Sequence, residues 1–261
     1  MTVPVASSAL PRRVLAIGGG GFSVEQYGLQ QERLLLSLAR CSQPRVLFVP
    51  TASRDRELYQ LRFFRAFSRL DCATDVLPFF PYDMKLDYAR SARDADVVFV
   101  GGGNTVAMLA VWREFGFDSA LRRAYEGGTV MAGISAGANC WFEHYVTDSV
   151  PGGGVRPGLG WLPGTFSPHL DSEVWRQPLL AAAPSPACGA GEEVLVLYEN
   201  ESFTDAFSVP PGPALCMRRD DSDTALVSHP PRSLPALPAS PASPAVPAVP
   251  AAPMLGSAGP A

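Results

Sequence analysis

Gly133-Ile134-Ser135-Ala136-Gly137 is the stretch of this chain with the most chemistry in it. An ordinary serine hydroxyl is a weak nucleophile at neutral pH and has to be activated. Here an apolar run, Thr129-Val130-Met131-Ala132, gives way to a candidate helix, and the two glycines relieve crowding at a sharp strand-to-helix turn. Such a turn lifts the hydroxyl above a sheet, beside helix amides, where it can attack a carbonyl. The same pentapeptide also serves as a plain packing turn, so its partners have to decide between the two.

Attack needs a base, and the chain has three histidines. His229 borders a Pro/Ala-rich stretch. His144 follows the serine by nine residues, so on the serine's own helix it would ride on the order of 13 Å away. His169, in Thr165-Phe166-Ser167-Pro168-His169-Leu170-Asp171, lies in a loop after the sheet and can fold back. It is the preferred base.

Acyl transfer also needs amide donors for a developing oxyanion. Val100-Gly101-Gly102-Gly103-Asn104-Thr105 ends a strand and starts a helix, so amides near Gly102 and Gly103 can join that of Ala136, while Asn104 or Thr105 caps the helix. No Gly-Lys-Ser or Gly-Lys-Thr follows, which excludes a Walker loop. Gly18 to Gly21 fails the dinucleotide fingerprint, since Ser23 stands where its third glycine belongs.

These loops must be positioned by strands. Val14-Leu15-Ala16-Ile17, Val46-Leu47-Phe48-Val49, Asp75-Val76-Leu77-Pro78-Phe79, Asp96-Val97-Val98-Phe99-Val100 and Thr129 to Ala132 read as strands of a parallel sheet. Helical patterns alternate with them: Gln30 to Ala39, and Asp55 to Leu70 with Leu58, Leu61, Phe64 and Phe67 on one stripe. The expectation is an α/β fold, a mostly parallel doubly wound sheet with helices on both faces. The glycine clusters then share the crevice beyond the strands' carboxyl ends. Val194 to Tyr198 and Ala214 to Arg218 are expected as an antiparallel extension. Residues 1–229 form one α/β domain, with 1–12 flexible, and 230–261 a solvated, disordered Pro/Ala-rich tail.

The chain has 261 residues, 47% hydrophobic and 18% charged, with a formal net charge of −4. That is a globular balance. Singly scattered Lys and Arg offer no basic stripe for nucleic acid. No window approaches the length of about 18 apolar residues that a membrane span needs, and the N-terminus lacks a leader pattern, so a cytoplasmic location and no membrane partner are expected. Cys41, Cys72, Cys140, Cys188 and Cys216 have no zinc spacing and read as ordinary buried thiols, with no metal and no cofactor implied.

Gly101 to Thr105, Gly133 to Asn139 and Pro168-His169-Leu170-Asp171, in that order, resemble the peptidase E family, which comprises aspartyl dipeptidases and relatives with cyanophycinases as more distant kin. Ile17 to Ser23 and Phe48 to Ser53 are also similar to its peptidase E-like branch. The resemblance covers most of residues 13 to 218 and implies a fold like class I glutamine amidotransferases, Ser135 as nucleophile and His169 as base. The family's acid is a glutamate shortly before a late strand, which here implies Glu192 or Glu193. A second family carboxylate, after the nucleophile's helix, falls on Asp148. Arg176 is the one arginine in the segment after His169, where the aspartyl dipeptidases carry several to pair with the substrate's carboxylate, and the resemblance implies it as a substrate-binding residue, with Asn104 beside the glycine loop as another candidate. The implied function is a serine exopeptidase acting on dipeptides or short peptides, as monomer or homodimer, with a preference for an acidic residue left open by the missing arginines. The alternatives are a small-ligand-binding protein that has lost the chemistry, or cleavage of an aspartate-rich polymer.

Overall fold

Alternation within each short apolar run divides its side chains between two cores. In β1 (Arg13–Ile17), Val14 and Ala16 enter one core, and Leu15 and Ile17 the other. The computed structural model describes residues 10–24, 28–81, 86–210 and 214–235. After β1 come α1 (Gln30–Ser37), β2 (Arg45–Val49), α2 (Glu57–Phe67), β3 (Ala73–Val76), α3 (Tyr88–Arg93), β4 (Val97–Val100), α4 (Thr105–Glu114), α5 (Phe117–Glu126) and β5 (Val130–Ile134). Then follow α6 (Ala136–Asn139), β6 (Phe142–Thr147), β7 (Gly154–Pro157), β8 (Leu162–Ser167), α7 (Arg176–Ala182) and β9 (Ala187–Ala190). The chain closes with β10 (Val194–Glu199), β11 (Ser202–Ser208), β12 (Cys216–Arg219), β13 (Val227–Ser228) and β14 (Arg232–Ser233).

The fold is α/β. The larger sheet runs β14-β11-β10-β1-β5-β4-β2-β3. Neighbours from β1 to β3 pair in parallel, and β10 joins β1 antiparallel. One face packs on α1 and α2 through Leu35, Phe63 and Phe67; the other packs on α4 and α5 through Met108, Trp112 and Leu121. Because β1, β2, β4 and β5 are parallel, their carboxyl ends open at one edge, and that edge carries the site.

Several expectations are corrected here. A second sheet, β13-β12-β9-β8-β6-β7, packs on the α4–α5 face through Trp141, Phe142 and Phe166. β10 extends the main sheet as expected, but the strand at Cys216 to Arg219 pairs with β9 in the second sheet. The difference is burial: Val194 to Tyr198 is buried throughout, whereas Met217 and Arg218 are only half-buried, which suits a peripheral strand. The serine's helix stops at Asn139, and His144 lies on β6, paired with β7 and β8.

On α2 the packed stripe is Tyr59, Phe63, Ala66 and Phe67, while Leu58, Leu61 and Phe64 face solvent. Both sets have helical spacing, and the aromatic rings of Phe22, Phe48 and Phe99 select the first. Cys140, Cys188 and Cys216 are buried, but Cys41 is exposed and Cys72 half-buried. The folded part also overruns its expected ends. Arg12 pairs with Glu201 at 2.6 Å, and Arg232–Ser233 adds β14 beside β11, with the Leu234 amide donating to the Ser208 carbonyl at 2.8 Å. Expectations for residues 1–9 and 236–261 fall outside the described residues.

Candidate active site

Ser135 follows β5 directly and takes φ 56°, ψ −113°, a conformation that costs a non-glycine residue about 1–3 kcal/mol. Three restraints hold it there. Its amide donates to the Ile17 carbonyl at the end of β1 at 3.0 Å, and its own carbonyl accepts from the Ala138 and Asn139 amides, each at 3.0 Å. The flanking glycines are steric requirements: a Cβ on Gly133 would stand 2.1 Å from the Gly137 carbonyl oxygen, and one on Gly137 would stand 2.2 Å from that of Val100.

His169 leaves the end of β8, also at positive φ (54°), and its Nε2 lies 2.8 Å from Ser135 Oγ. Its Nδ1 lies 2.6 Å from Glu192 Oε1. A carboxylate accepts only, so Nδ1 carries the proton and Nε2 presents a lone pair to the serine hydroxyl. Ser172 Oγ donates to the same carboxylate oxygen at 3.0 Å. Burial pushes the Glu192 carboxyl up, but the hydrogen bond and charge of His169, with Ser172, outweigh it and hold the group below the usual range.

Glu192 is held from behind. Asp171 Oδ1 accepts the Glu192 amide at 2.8 Å and the Ser172 amide at 2.8 Å, tying the turn before β10 to the loop that carries His169. Gly18 to Gly21 exists to let this turn approach. A Cβ on Gly19 would lie 1.8 Å from Glu192 Oε2, and one on Gly20 1.9 Å from Glu193 Oε1. Glu193, the other candidate acid, turns away from His169: it accepts from Gln31 Nε2 at 2.6 Å and from the Gly21 amide at 3.2 Å. Burial raises its carboxyl above the ordinary value against those bonds.

The Gly101 to Gly103 loop closes in beside the serine. A Cβ on Gly102 would be 3.8 Å from Ser135 Oγ, and one on Gly101 would be 2.8 Å from the Tyr59 ring. The Gly102 amide, expected to face an oxyanion, donates to the Tyr59 hydroxyl at 3.2 Å. Gly103, at φ 138°, packs on the Ala52 carbonyl. Ala136 opens α6, where the first helical amides have no acceptor within the helix. Asn104 lines the cavity and caps α4: its Oδ1 accepts from the Ala107 amide at 2.8 Å and its Nδ2 donates to the Ser149 carbonyl at 2.8 Å.

Asp148 and Arg176 are not brought to His169. They face each other at 3.5 Å, Asp148 with a side chain 69% exposed. Arg176 is buried, donating to the Val146 carbonyl at 2.8 Å and to Glu173 at 2.7 Å, so it is committed to structure and does not line the catalytic cavity. That cavity, about 750 Å³, is instead lined by Arg54, Arg56 and Arg62 together with Ser135, His169 and Glu192. Sequence reading overlooked these arginines, Tyr59, Asp171 and Ser172. Asp171 sits inside the motif that nominates His169 and had a signal there; Tyr59 and the arginines carry none, because the turn after β2 and the packing of α2 bring them to the site. Among the described residues no His, Cys, Asp or Glu group is arranged to hold a metal ion, and no helix is long and apolar enough to cross a membrane.

A model of peptidase family S51 matches residues 14–205. The uncharacterized peptidase YgaJ of Bacillus subtilis is 44% identical over 167 residues, 64% of this chain and 72% of its own length. Peptidase E of Streptomyces coelicolor is 36% identical over 130 residues, 48% of this chain and 51% of that protein. A crystal structure of a peptidase from an acI-B1 Actinobacterium superposes with a TM-score of 0.64 over 85% of this chain and 98% of its own, at 16% identity, a likeness of fold alone.

Proposed function

The chain belongs to peptidase family S51, and we propose that it works as a serine exopeptidase on dipeptides or short peptides through an acyl-enzyme on Ser135. The observation that carries this reading is the relay from Glu192 to His169 to Ser135, with contacts of 2.6 and 2.8 Å, opening on a cavity of peptide size. His169 Nε2 takes the hydroxyl proton as Ser135 Oγ attacks the scissile carbonyl carbon. Glu192 keeps the proton on Nδ1 and stabilises the imidazolium. The oxyanion is received by the Ala136 amide and by the Gly102 amide, which exchanges the Tyr59 hydroxyl for the new oxygen. His169 then gives its proton to the leaving amine, and the C–N bond breaks. Water enters, loses a proton to His169 and attacks the ester; Ser135 recovers its hydroxyl as the second product leaves.

A library of dipeptides and tripeptides read by mass spectrometry, with the Ser135→Ala protein as control, tests this. Turnover that vanishes in Ser135→Ala, together with stoichiometric fluorophosphonate labelling of Ser135, is the expected result. Undiminished turnover in Ser135→Ala overturns it. Labelling without short-peptide turnover, but with cleavage of an aspartate-rich isopeptide polymer, moves the substrate to the polymer.

A further inference from the structure

Arg54 and Arg56 are exposed, line the catalytic cavity, and have no hydrogen-bond or ion-pair partner for their guanidinium groups among the described residues. Elsewhere the structure pairs its arginines readily, as with Arg12, Arg13, Arg122, Arg176 and Arg232. The turn that presents these two is strained: Arg54 and Asp55 stand in succession at φ 59° and 52°, neither a glycine. Asn and Asp tolerate that region; arginine gains nothing from it. The strain is maintained by Asp55 Oδ2, which accepts the Phe79 and Phe80 amides, and by the Arg54 amide's bond to the Thr51 carbonyl at 2.9 Å.

The turn is also fastened to the catalytic loop. The Asn104 amide donates to the Ala52 carbonyl at 2.9 Å, and Gly103 packs on the same carbonyl, so the arginines keep a fixed place relative to Ser135. Arg56 is the N-cap of α2 and supplies no side-chain acceptor, leaving first-turn amides of an 11-residue helix uncapped beside the cavity. Glu57 is the acid of that first turn, but it does not line the cavity. Arg62 lines the same cavity with its Nη1 donating to the Ser23 carbonyl at 2.7 Å. Among the described residues that line the cavity the one carboxylate is Glu192, and His169 engages it. Among the described residues no carboxylate pairs with the guanidinium groups of Arg54 and Arg56, in a chain whose formal net charge is −4.

We propose that Arg54 and Arg56 form a carboxylate-binding wall that takes a free carboxylate of the substrate, either its C-terminal α-carboxylate or an acidic side chain. This rests on the peptidase reading above for the kind of molecule bound. It assigns substrate selection to the turn after β2, replacing Arg176 in that role. A guanidinium group suits the planar, bidentate geometry of a carboxylate.

Binding to the Ser135→Ala protein tests this without any need for turnover, by calorimetry with dialanine against its C-terminal amide, and with Asp-Ala amide against Asn-Ala amide. Arg54→Asn combined with Arg56→Gln, in the same background, removes both charges while Asn keeps the left-handed turn accessible. The expected result is a preference of about 10- to 100-fold for a carboxylate-bearing peptide, lost in the double substitution. Loss on C-terminal amidation identifies the α-carboxylate as the source, and loss on Asp to Asn the side chain. Arg54→Lys with Arg56→Lys should retain part of the preference. Equal affinity for the charged and neutral member of both pairs, discrimination that survives the double substitution, or no binding of any of these peptides overturns the proposal. Failure of the peptidase reading looks different: carboxylate discrimination persists while the protein with Ser135 intact turns over nothing and resists labelling.

Discussion

Glu192 leaves the turn before β10 and meets an imidazole; Asp148 leaves the end of β6 and meets a guanidinium. Both are acids near the second sheet, and both are candidates on sequence grounds. Glu192 is half-buried, receives two side-chain donors, and has its own amide held by Asp171. Asp148 keeps most of its side chain in water and reaches Arg176 only at 3.5 Å. With its carboxylate largely in water and a contact of 3.5 Å, such a pair is worth roughly 0–1 kcal/mol, since water competes for the acid. The contrast shows that an acid becomes useful to a histidine when its turn is braced from behind, which depends on neighbouring loops more than on its own identity.

The largest effects should fall on the Glu192 side. Ser135→Ala should lower kcat on the order of 10⁴- to 10⁶-fold, and Glu192→Gln about 10²- to 10⁴-fold, with the fold intact by circular dichroism. Asp148→Asn should stay within about threefold of the parent, because the pair it breaks is solvated. Steady-state kinetics on one peptide across these proteins breaks the comparison if Asp148→Asn and Glu192→Gln lose activity alike. Next comes Gly19→Ala, whose Cβ would displace Glu192 Oε2. A shift of about an ångström in the acid should cost roughly 10- to 100-fold in kcat with little change in KM.

On the Asp148 side the cost should appear in stability. Arg176→Ala strips a buried guanidinium from the Val146 carbonyl and from Glu173, and should lower unfolding free energy by about 1–3 kcal/mol, read from the urea midpoint. Activity per folded molecule should change little. The smallest effect concerns a third acid, Glu32, which has neither imidazole nor guanidinium. Burial raises its carboxyl above the ordinary value, against the Phe22 amide that donates to it at 3.0 Å. The folded state therefore holds this proton more tightly than the unfolded chain does, and stability is lost as pH rises from the ordinary carboxylate value through the raised one. Glu32→Gln removes that loss, so its melting temperature relative to the parent should be higher at pH 7 than at pH 4, by roughly 2–4 °C.

Legibility differed by element. The central parallel strands were readable because continuous apolar runs bounded by glycine leave few alternatives. α2 was readable as a helix but not in its orientation, since Leu58, Leu61 and Phe64 keep helical spacing as faithfully as Tyr59, Phe63 and Phe67. The second sheet was missed because its strands lack continuous apolar runs: Glu143 and His144 interrupt β6, Pro163 and Gly164 interrupt β8, and β9 is built of small residues. That miss also hid the placement of His144 on β6, whereas Arg176 as a substrate ligand was implied by the resemblance alone.

Residue type and local spacing were enough to nominate Ser135 and His169, and to mark the glycine runs as places where chains crowd together. Both follow from short-range physics: a hydroxyl needs a base, and a carbonyl about 2 Å from where a Cβ would stand admits only glycine. The choice among Glu192, Glu193 and Asp148, the Tyr59 hydroxyl on the Gly102 amide, and the arginine wall were decided by tertiary structure. Each depends on which face of a distant element packs against the main sheet. Such packing is settled by the summed burial of many side chains, and no single motif encodes it.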